Sequence, residues 1–565
     1  MKIGKITTAL FLSTAMSFEV SCAFELPEKN SLMARILKAT DERDHENIVF
    51  EEAVKAGKYE SLAYLGQIGG DACEKLVPYL RGENQEAKRW AVKGAMLCHD
   101  DKLSPHLTAQ LADAEHKSLW SSALGFSGGD GSAAIIAASL KLADSNQAQL
   151  DTLFGLVQSV AYSRTSAADI PGLDLKRILE QVVAGGDVGY AAAYVLARLQ
   201  NLPDMLPFAD FEPVLAAMLS NNTNDLTGAE LETARLLTRV AREYGDDALQ
   251  LLLAASEADQ IMIRHEAVRS FGHLKDATSK AFILKLANSD ETASLVRHLA
   301  VDAIGQRSMA DPSLLDLLHQ YISDDDRWVA TTALRWLGQR DAVAANEVAA
   351  EWLAGNDYYL AFQALIALTG SDDGKTILKA YADANPKTVR GYEAAVALDP
   401  SIEAVVKPRK TPNFSTVAAY ANRELVLETT RGKVCIAVTG DAPYAAANFL
   451  QLADVGKMDG MLWHRVIPNF VTQAGQIEDT DINNWGSIRE EWGGEHRIGT
   501  VGVATAGRDT GTVQFFVNTG YNLHLNNRYT VFGKVYGGMD VIYKLQEGDV
   551  IKRAYTAKAP SANCK

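Results

Sequence analysis

Two short stretches near the carboxyl end decide the fold and chemistry of the last quarter of this chain. Residues 464–473 read HRVIPNFVTQ, and residues 513–517 read VQFFV. Together they supply one permanent cation, Arg465, the amide of Gln473 and several aromatic rings. Such a set suits the binding of an apolar ring and the donation of a hydrogen bond to a neutral group. It holds no nucleophile activated by a base, so the pattern argues against bond cleavage.

The second stretch predicts which of its side chains face a common pocket. Side chains alternate between the two faces of a strand, so Gln514 and Phe516 share one face and Phe515 takes the other. We therefore predict that Phe516 lines the pocket together with Phe470, and that Phe515 lies in the core.

Upstream of these stretches the sequence predicts the start of a β domain. The side-chain pattern has a period of two over residues 424–430 and 433–438. A turn at Arg431-Gly432 joins the two stretches, which is typical of a β-hairpin. Residues 407–412 read KPRKTP and indicate a linker. We predict a linker over 399–420 and a β domain over 421–565.

Residues 24–398 are predicted to be helical throughout, with an internal repeat. Its markers are Gly272, Gly305, Gly338 and Gly370, spaced 33, 33 and 32 residues apart. Helix pairs of this period bury their apolar faces by stacking into a solenoid, and the units resemble HEAT-type repeats. We expect the concave face of this all-α solenoid to bind a protein partner from the cell envelope. The alternative is that the solenoid is only a spacer that holds the C-terminal domain away from an anchor.

The amino terminus predicts export. Lys2 and Lys5 precede an apolar stretch, and Ser21-Cys22-Ala23 favours cleavage after Ala23, so residues 1–23 read as a signal peptide. The alternative is a lipoprotein signal with Cys22 as the acceptor. We expect a periplasmic or secreted protein without a stable membrane span in the mature chain.

Size and charge narrow the functional class. A chain of 565 residues is too long for one core, which predicts a multidomain protein. The net charge of −16 argues against a nucleic-acid binder, which would show a basic face.

Four cysteines remain after signal cleavage, and in an exported protein an even number favours disulfides. Cys73–Cys98 would link neighbouring helices, and Cys435–Cys564 would tie the tail to an early strand; four free thiols are the alternative. We predict that Cys435 and Cys564 are bonded in the oxidised protein. Mass mapping without reductant that finds both thiols free would reject this pairing.

The region 423–558 resembles the cyclophilins, the cyclophilin-type peptidyl-prolyl cis/trans isomerases. The resemblance rests on several segments in one order: 442–450 (APYAAANFL), 459–470 (DGMLWHRVIPNF), 499–507 (GTVGVATAG), 514–516 (QFF), 528–535 (RYTVFGKV) and 538–542 (GMDVI). It implies a closed eight-stranded β-barrel with capping helices, binding of proline-containing polypeptides, and no cofactor or metal.

The resemblance also completes the predicted site. Arg465, Phe470 and Gln473 are the predicted catalytic residues. The predicted substrate-binding residues are Val471, Ala504, Thr505, Gln514, Phe516, His524, Leu525 and Tyr529. His524 stands where many members have Trp, and Thr505 where Asn is common, so the rim of the groove departs from the family more than its floor. Every one of these residues lies within 413–565, so that fragment alone is predicted to be active.

These residue types suit amide rotation. The barrier of an X–Pro bond is roughly 18–20 kcal/mol because the C–N bond has double-bond character. In the twisted state the nitrogen gains a lone pair, to which Arg465 can donate, and lowering the barrier by about 6–8 kcal/mol accelerates exchange roughly 10⁴–10⁶-fold. The alternative hypothesis is a low-turnover module that only binds proline-containing segments as a chaperone or scaffold.

Overall fold

The computed structural model describes residues 27–558 except 29, 112–116, 130, 142, 144, 162–165, 221–227, 259, 290, 403–413, 422 and 480–484. The predicted signal peptide, Cys564 and half of the predicted linker, residues 403–413, lie outside the described residues. No helix among the residues described has the length and apolar character needed to cross a bilayer.

The described chain is helical up to Tyr420. Helices α1 to α12 span Leu32–Asp41, Val49–Lys55, Ser61–Ile68, Val77–Leu80, Gln85–Cys98, Ser104–Leu111, Lys117–Ser127, Ser132–Leu140, Asn146–Ala161, Leu175–Ala184, Gly186–Arg198 and Phe208–Ser220. Helices α13 to α24 span Gly228–Tyr244, Leu249–Ser256, Ile261–Ser270, Ala277–Ala287, Ser294–Ser308, Leu315–Tyr321, Arg327–Arg340, Ala342–Ala354, Tyr358–Leu368, Asp372–Ala384, Val389–Leu398 and Phe414–Tyr420. We call α1 to α23 the helical arm.

The helices of the arm stack in a regular order. Each odd-numbered helix from α1 to α23 contacts the next odd-numbered helix, and most even-numbered helices pack against their neighbours in sequence. Several helices of the arm begin with an aspartate N-cap, whose side chain accepts a hydrogen bond from an N–H in the first turn. These aspartates are Asp276, Asp326, Asp341 and Asp357. The helical prediction for this region is confirmed, whereas its assignment to the HEAT type stays a prediction.

Two of the marker glycines differ in how closely the next repeat approaches them. A Cβ added at Gly305 would lie 2.2 Å from the indole of Trp336, so this glycine is required for the contact between α17 and α19. A Cβ added at Gly338 would meet only the carbonyl oxygen of Ala367, at 3.9 Å, which is an ordinary contact.

These two glycines provide a matched test of the stacking. We expect Gly305→Ala to destabilise the protein by about 1–3 kcal/mol through overpacking. Gly338→Ala should instead stabilise it by up to about 1 kcal/mol, since Ala is the better residue inside a helix. Thermal unfolding of both variants checks this, and equal shifts of the two midpoints would contradict the described packing.

The described residues after Tyr420 form one antiparallel sheet with two further α-helices. Strands β1 to β8 span Arg423–Thr429, Gly432–Val438, Leu462–Ile467, Val471–Gln476, Thr500–Val503, Phe515–Asn518, Val531–Gly537 and Ile551–Lys558. Helix α25 spans Pro443–Asp454 and the short helix α26 spans Met539–Ile542. We call residues 414–558 the sheet domain.

The prediction of a closed barrel is wrong, because the eight-stranded sheet is open. The strand order is β3-β4-β6-β5-β7-β2-β1-β8, so β3 and β8 are the two ends of an open sheet. They meet at the isolated bridge between Leu462 and Val550. The residues before β8 make this junction, with Trp463 N–H donating to the carbonyl of Asp549 at 2.8 Å. The strand β8 itself continues along β1, so no ladder closes the barrel.

The core of the sheet domain lies between the sheet and α25. Leu427, Ile436, Phe449 and Phe532 are fully buried there, and the rings of Phe449 and Phe532 stack at 4.3 Å. Helix α24 falls within the predicted linker but packs onto this domain, since Val417 contacts Tyr444 and Ala447 of α25.

One disulfide is seen in full. Cys73 and Cys98 are bonded with their Cα atoms 6.0 Å apart, which joins α5 to the segment before α4 as predicted. Cys435 is also disulfide-bonded. Its predicted partner, Cys564, lies outside the described residues, so that pairing stays a prediction.

The arm holds the sheet domain through its odd-numbered helices. Arg489 forms a buried ion pair with Asp41 at the end of α1. Arg508 donates to the carbonyls of Gln67 and Leu97 at 2.6 and 2.8 Å, at the carboxyl ends of α3 and α5. A cation is favourable there because the carbonyls that end a helix carry partial negative charge.

Similar contacts continue to the last helices of the arm. In α11 the hydroxyl of Tyr190 donates to the carbonyl of Tyr521, and the two rings stack at 4.5 Å. In α23 Arg390 pairs with Glu478 at 2.9 Å. Tyr521 and Leu523 of the sheet domain belong to the same buried cluster as the core of the arm. The isolated fragment 413–565 would therefore expose apolar groups that the full chain buries.

Candidate functional site

The hairpin of β3 and β4 carries the predicted catalytic side chains. Arg465 lies opposite Gln473 in the register of the two strands, and its Nη1 donates to Oε1 of Gln473 at 3.2 Å. The Nε2 of Gln473 in turn donates to Oε1 of Gln514 at 3.0 Å. The Arg465 side chain is exposed to solvent, so this line of groups presents an oriented cation at the surface.

A cluster of apolar side chains lies beside this line, and it contains residues predicted to bind the proline ring, so we call it the pocket. Its buried members are Val471, Phe516 and Leu525, and the partly buried Phe470, Ala504 and Tyr529 pack against them. Phe516 pairs with Gln473 on one side and Gly502 on the other. A Cβ added at Gly502 would lie 2.5 Å from the Phe516 ring, so the absence of a side chain there makes room for the ring.

Strand alternation correctly separates the two phenylalanines of β6. Phe515 is fully buried in the core of the sheet domain, where its ring meets Phe449 and Trp463 edge-on. Phe516 faces the pocket, and the ring of Tyr529 meets it edge-on at 6.0 Å.

Phe470 and His524 extend the pocket as a stack of rings. Their centroids lie 5.6 Å apart with an interplanar angle of 23°. The guanidinium carbon of Arg465 lies 5.4 Å from the centroid of Phe470, which is within the range of a cation–π contact. The cation and the ring stack are thus neighbours.

Sequence reasoning missed His496, which supports the back of the pocket. Its ring stacks on Phe516 at 5.6 Å, and its Nε2 lies 3.1 Å from the carbonyl of Tyr529. Burial lowers the pKa of His496 to about 4, so the ring is neutral at physiological pH. The only sequence signal is a lone histidine in a loop, which does not reveal such a contact.

Thr505 stands apart from the apolar cluster. Its hydroxyl donates to Oε1 of Glu490 at 3.3 Å. Burial and the nearby Asp509 raise the pKa of Glu490 to about 8. A buried carboxyl group therefore borders this end of the groove, and sequence reasoning did not predict it.

His464, next to the predicted catalytic cation, is a neutral structural residue. Burial lowers the pKa of His464 to about 4. Its ring lies edge-on to Phe362 of α21 at 6.0 Å, so it faces the arm.

Comparison with known proteins identifies the class of the sheet domain. Residues 425–565 match the family model described as cyclophilin type peptidyl-prolyl cis-trans isomerase/CLD. The chain belongs to this family, and its C-terminal part is a cyclophilin-type peptidyl-prolyl cis-trans isomerase domain.

Individual relatives are similar over the sheet domain. Peptidyl-prolyl cis-trans isomerase B of Bacillus subtilis is 43% identical over 115 residues, which cover 20% of this chain and 80% of the relative. A peptidyl-prolyl cis-trans isomerase of Helicobacter pylori is 37% identical over 155 residues, 26% of this chain and 95% of the relative. A crystal structure of a Cryptosporidium parvum cyclophilin type isomerase aligns with 22% identity and a TM-score of 0.23, covering 24% of this chain and 99% of that one.

Proposed function

We propose that the full chain isomerises X–Pro bonds of exported proteins, with Arg465 as the hydrogen-bond donor to the twisted amide. The observation that carries this proposal is the line from Arg465 through Gln473 to Gln514 beside the pocket of Phe516. The pocket would bind the proline ring while the guanidinium stabilises the lone pair on its nitrogen. Because that lone pair develops only as the amide twists, the donation favours the transition state over either isomer.

The other predicted residues have supporting roles in this proposal. Phe470 and Phe516, with Val471 and Leu525, hold the proline ring by apolar contact. Gln473 orients Arg465, and the exposed cation lets an extended peptide approach from solvent. Ala504, Thr505, Gln514, His524 and Tyr529 contact the residues that flank the proline.

The second candidate is a binding module with little turnover. One observation favours it: His524 and Phe516 are only 6% and 4% exposed in the full chain, so the arm and the sheet domain together cover part of the groove. A groove of this kind could retain a proline-containing segment longer than a freely exposed one.

An isomerisation assay on the full chain separates the two candidates. A peptide with one X–Pro bond is converted from a cis-enriched start, and the rate is compared with peptide affinity measured on the same preparation. We expect exchange in the presence of the protein to be much faster than the uncatalysed exchange, which takes about 10–100 s. Tight binding without acceleration would reject the isomerase and support the binding module.

The arm has a separate part in the proposal. We infer that its odd-numbered helices serve first to hold the isomerase domain, since these helices supply the contacts with that domain. An envelope protein that binds the same odd-numbered helices would therefore compete with the sheet domain. Affinity capture from an envelope extract with the intact chain tests for such a partner, and cell fractionation tests export.

A further inference from the structure

The turn of the predicted catalytic hairpin is anchored on the arm. Asn469 follows Pro468 between β3 and β4 and has a φ of 58°, a left-handed conformation that Asn tolerates better than most residues. It is 2% exposed, and its Nδ2 lies 3.2 Å from the carbonyl of Met262 and 3.3 Å from Oε2 of Glu266, both in α15. The position of the residue before Phe470 is thus set from outside the sheet domain.

A second contact from the arm reaches the ring stack itself. The hydroxyl of Tyr194 in α11 is hydrogen-bonded to Nδ1 of His524, and Tyr194 is fully buried. Nη2 of Arg198 lies 2.6 Å from the same hydroxyl oxygen. A guanidinium can only donate, so the Tyr194 oxygen accepts from Arg198 while it is also hydrogen-bonded to His524. The network fixes the orientation of the His524 ring at this bond.

The orientation of His524 matters because two pocket groups lie in series beyond it. Phe470 stacks on the His524 ring, and the guanidinium of Arg465 lies over the face of Phe470. A turn of the His524 ring would remove the surface on which Phe470 rests. The hydroxyl of Tyr194 is therefore linked to the predicted catalytic cation through two ring contacts.

We propose that Tyr194 of the arm is a positioning residue for the proline pocket. It holds His524, His524 supports Phe470, and the arm thereby sets the affinity of the isomerase domain for proline-containing peptides. This inference rests on the proposed function, because Phe470 is assigned there to the proline ring. It gives the arm a role at the site itself, in addition to holding the domain.

The test is Tyr194→Phe in the full chain, which removes one hydroxyl and keeps the buried ring. We expect the KM for an X–Pro peptide to rise about three- to tenfold, a change of the size that one ordinary buried hydrogen bond supports. The kcat should change little, because Phe470 contacts the proline ring in the ground state and in the transition state alike.

Tyr190→Phe is the matched control. Tyr190 lies one turn earlier in α11, is 1% exposed, and its hydroxyl is hydrogen-bonded to the sheet domain, as that of Tyr194 is. Its acceptor is the backbone carbonyl of Tyr521, outside the pocket. We expect Tyr190→Phe to lower the unfolding temperature about as much as Tyr194→Phe and to leave KM unchanged. A rise in KM confined to Tyr194→Phe cannot then come from general loosening of the arm.

A variant of His524, the other partner of this hydrogen bond, tests the same contact without relying on Tyr194→Phe alone. His524→Phe keeps a ring to stack on Phe470 and removes the nitrogen that is hydrogen-bonded to Tyr194. If the bond is the cause, adding Tyr194→Phe to His524→Phe should raise KM no further. An unchanged KM in Tyr194→Phe, or equal rises in both tyrosine variants, would overturn the inference. An inactive wild-type chain would reject the proposed function instead.

Discussion

Replacing Arg465 by Ala is expected to lower kcat/KM by at least about tenfold and by up to about a thousandfold, because one preorganised donor to a transition state contributes about 2.7–4 kcal/mol. Arg465 is exposed and its side-chain hydrogen bond is with Gln473, so the fold should tolerate the substitution. The measurement is isomerisation of an X–Pro peptide by the full chain, with the unfolding temperature recorded in parallel.

Two variants sharpen this test. Arg465→Lys keeps the charge but loses the planar fork, so an intermediate rate would show that geometry contributes as well as charge. Arg553→Ala removes an exposed arginine from β8 and serves as the control for lost surface charge. Near wild-type activity in Arg465→Ala, with an intact fold, would reject the assigned mechanism.

Removal of the Arg489 guanidinium should cause the largest loss of stability. Its side chain is 5% exposed, and it neutralises Asp41 of the arm and Glu491 of the sheet domain, whose side chains are 0% and 4% exposed. Arg489→Met leaves those carboxylates buried without their cation. We expect the free energy of unfolding to fall by about 3–5 kcal/mol, the usual effect of breaking a buried pair.

The comparison for this prediction is an ion pair at the surface. Arg35 and Glu52 lie 2.8 Å apart with side chains 46% and 42% exposed, so Arg35→Met should change the unfolding free energy by at most about 1 kcal/mol. Urea unfolding of both variants measures the difference. If the two losses were similar, the pair between Asp41 and Arg489 would not be a main contact between the arm and the sheet domain.

The side-chain relations along β6 and across the β3–β4 hairpin could be predicted from the sequence because they depend on local patterns. Strand alternation placed Phe516 in the pocket and Phe515 in the core, and the hairpin register brings Arg465 to Gln473. Such relations involve residues that are neighbours along or across one hairpin. The glycine spacing likewise indicated stacked helices, because each unit contacts the next one in the chain.

What the sequence did not reveal are contacts between distant segments. Tyr194 and His524 are 330 residues apart, and no periodicity or motif connects them. His496 and Glu490 lie in a long connection before β5, where no alternating pattern assigns a face. The closed barrel that the resemblance implied is wrong, because closure depends on how the residues before β8 meet β3, and the motifs that carry the resemblance do not specify that junction.

The long separation of the arm contacts has a consequence for biosynthesis. Arg43 and its partner Asp509 are 466 residues apart, so the first helices emerge from the ribosome well before the domain that they hold. At about 5–20 residues per second, this interval is on the order of half a minute or longer. Tyr190 and Tyr194 are synthesised 331 and 330 residues before their partners, and until then they have no sheet domain to cover them. A nascent chain of this design therefore presents an uncovered apolar face to chaperones until its last quarter has been translated.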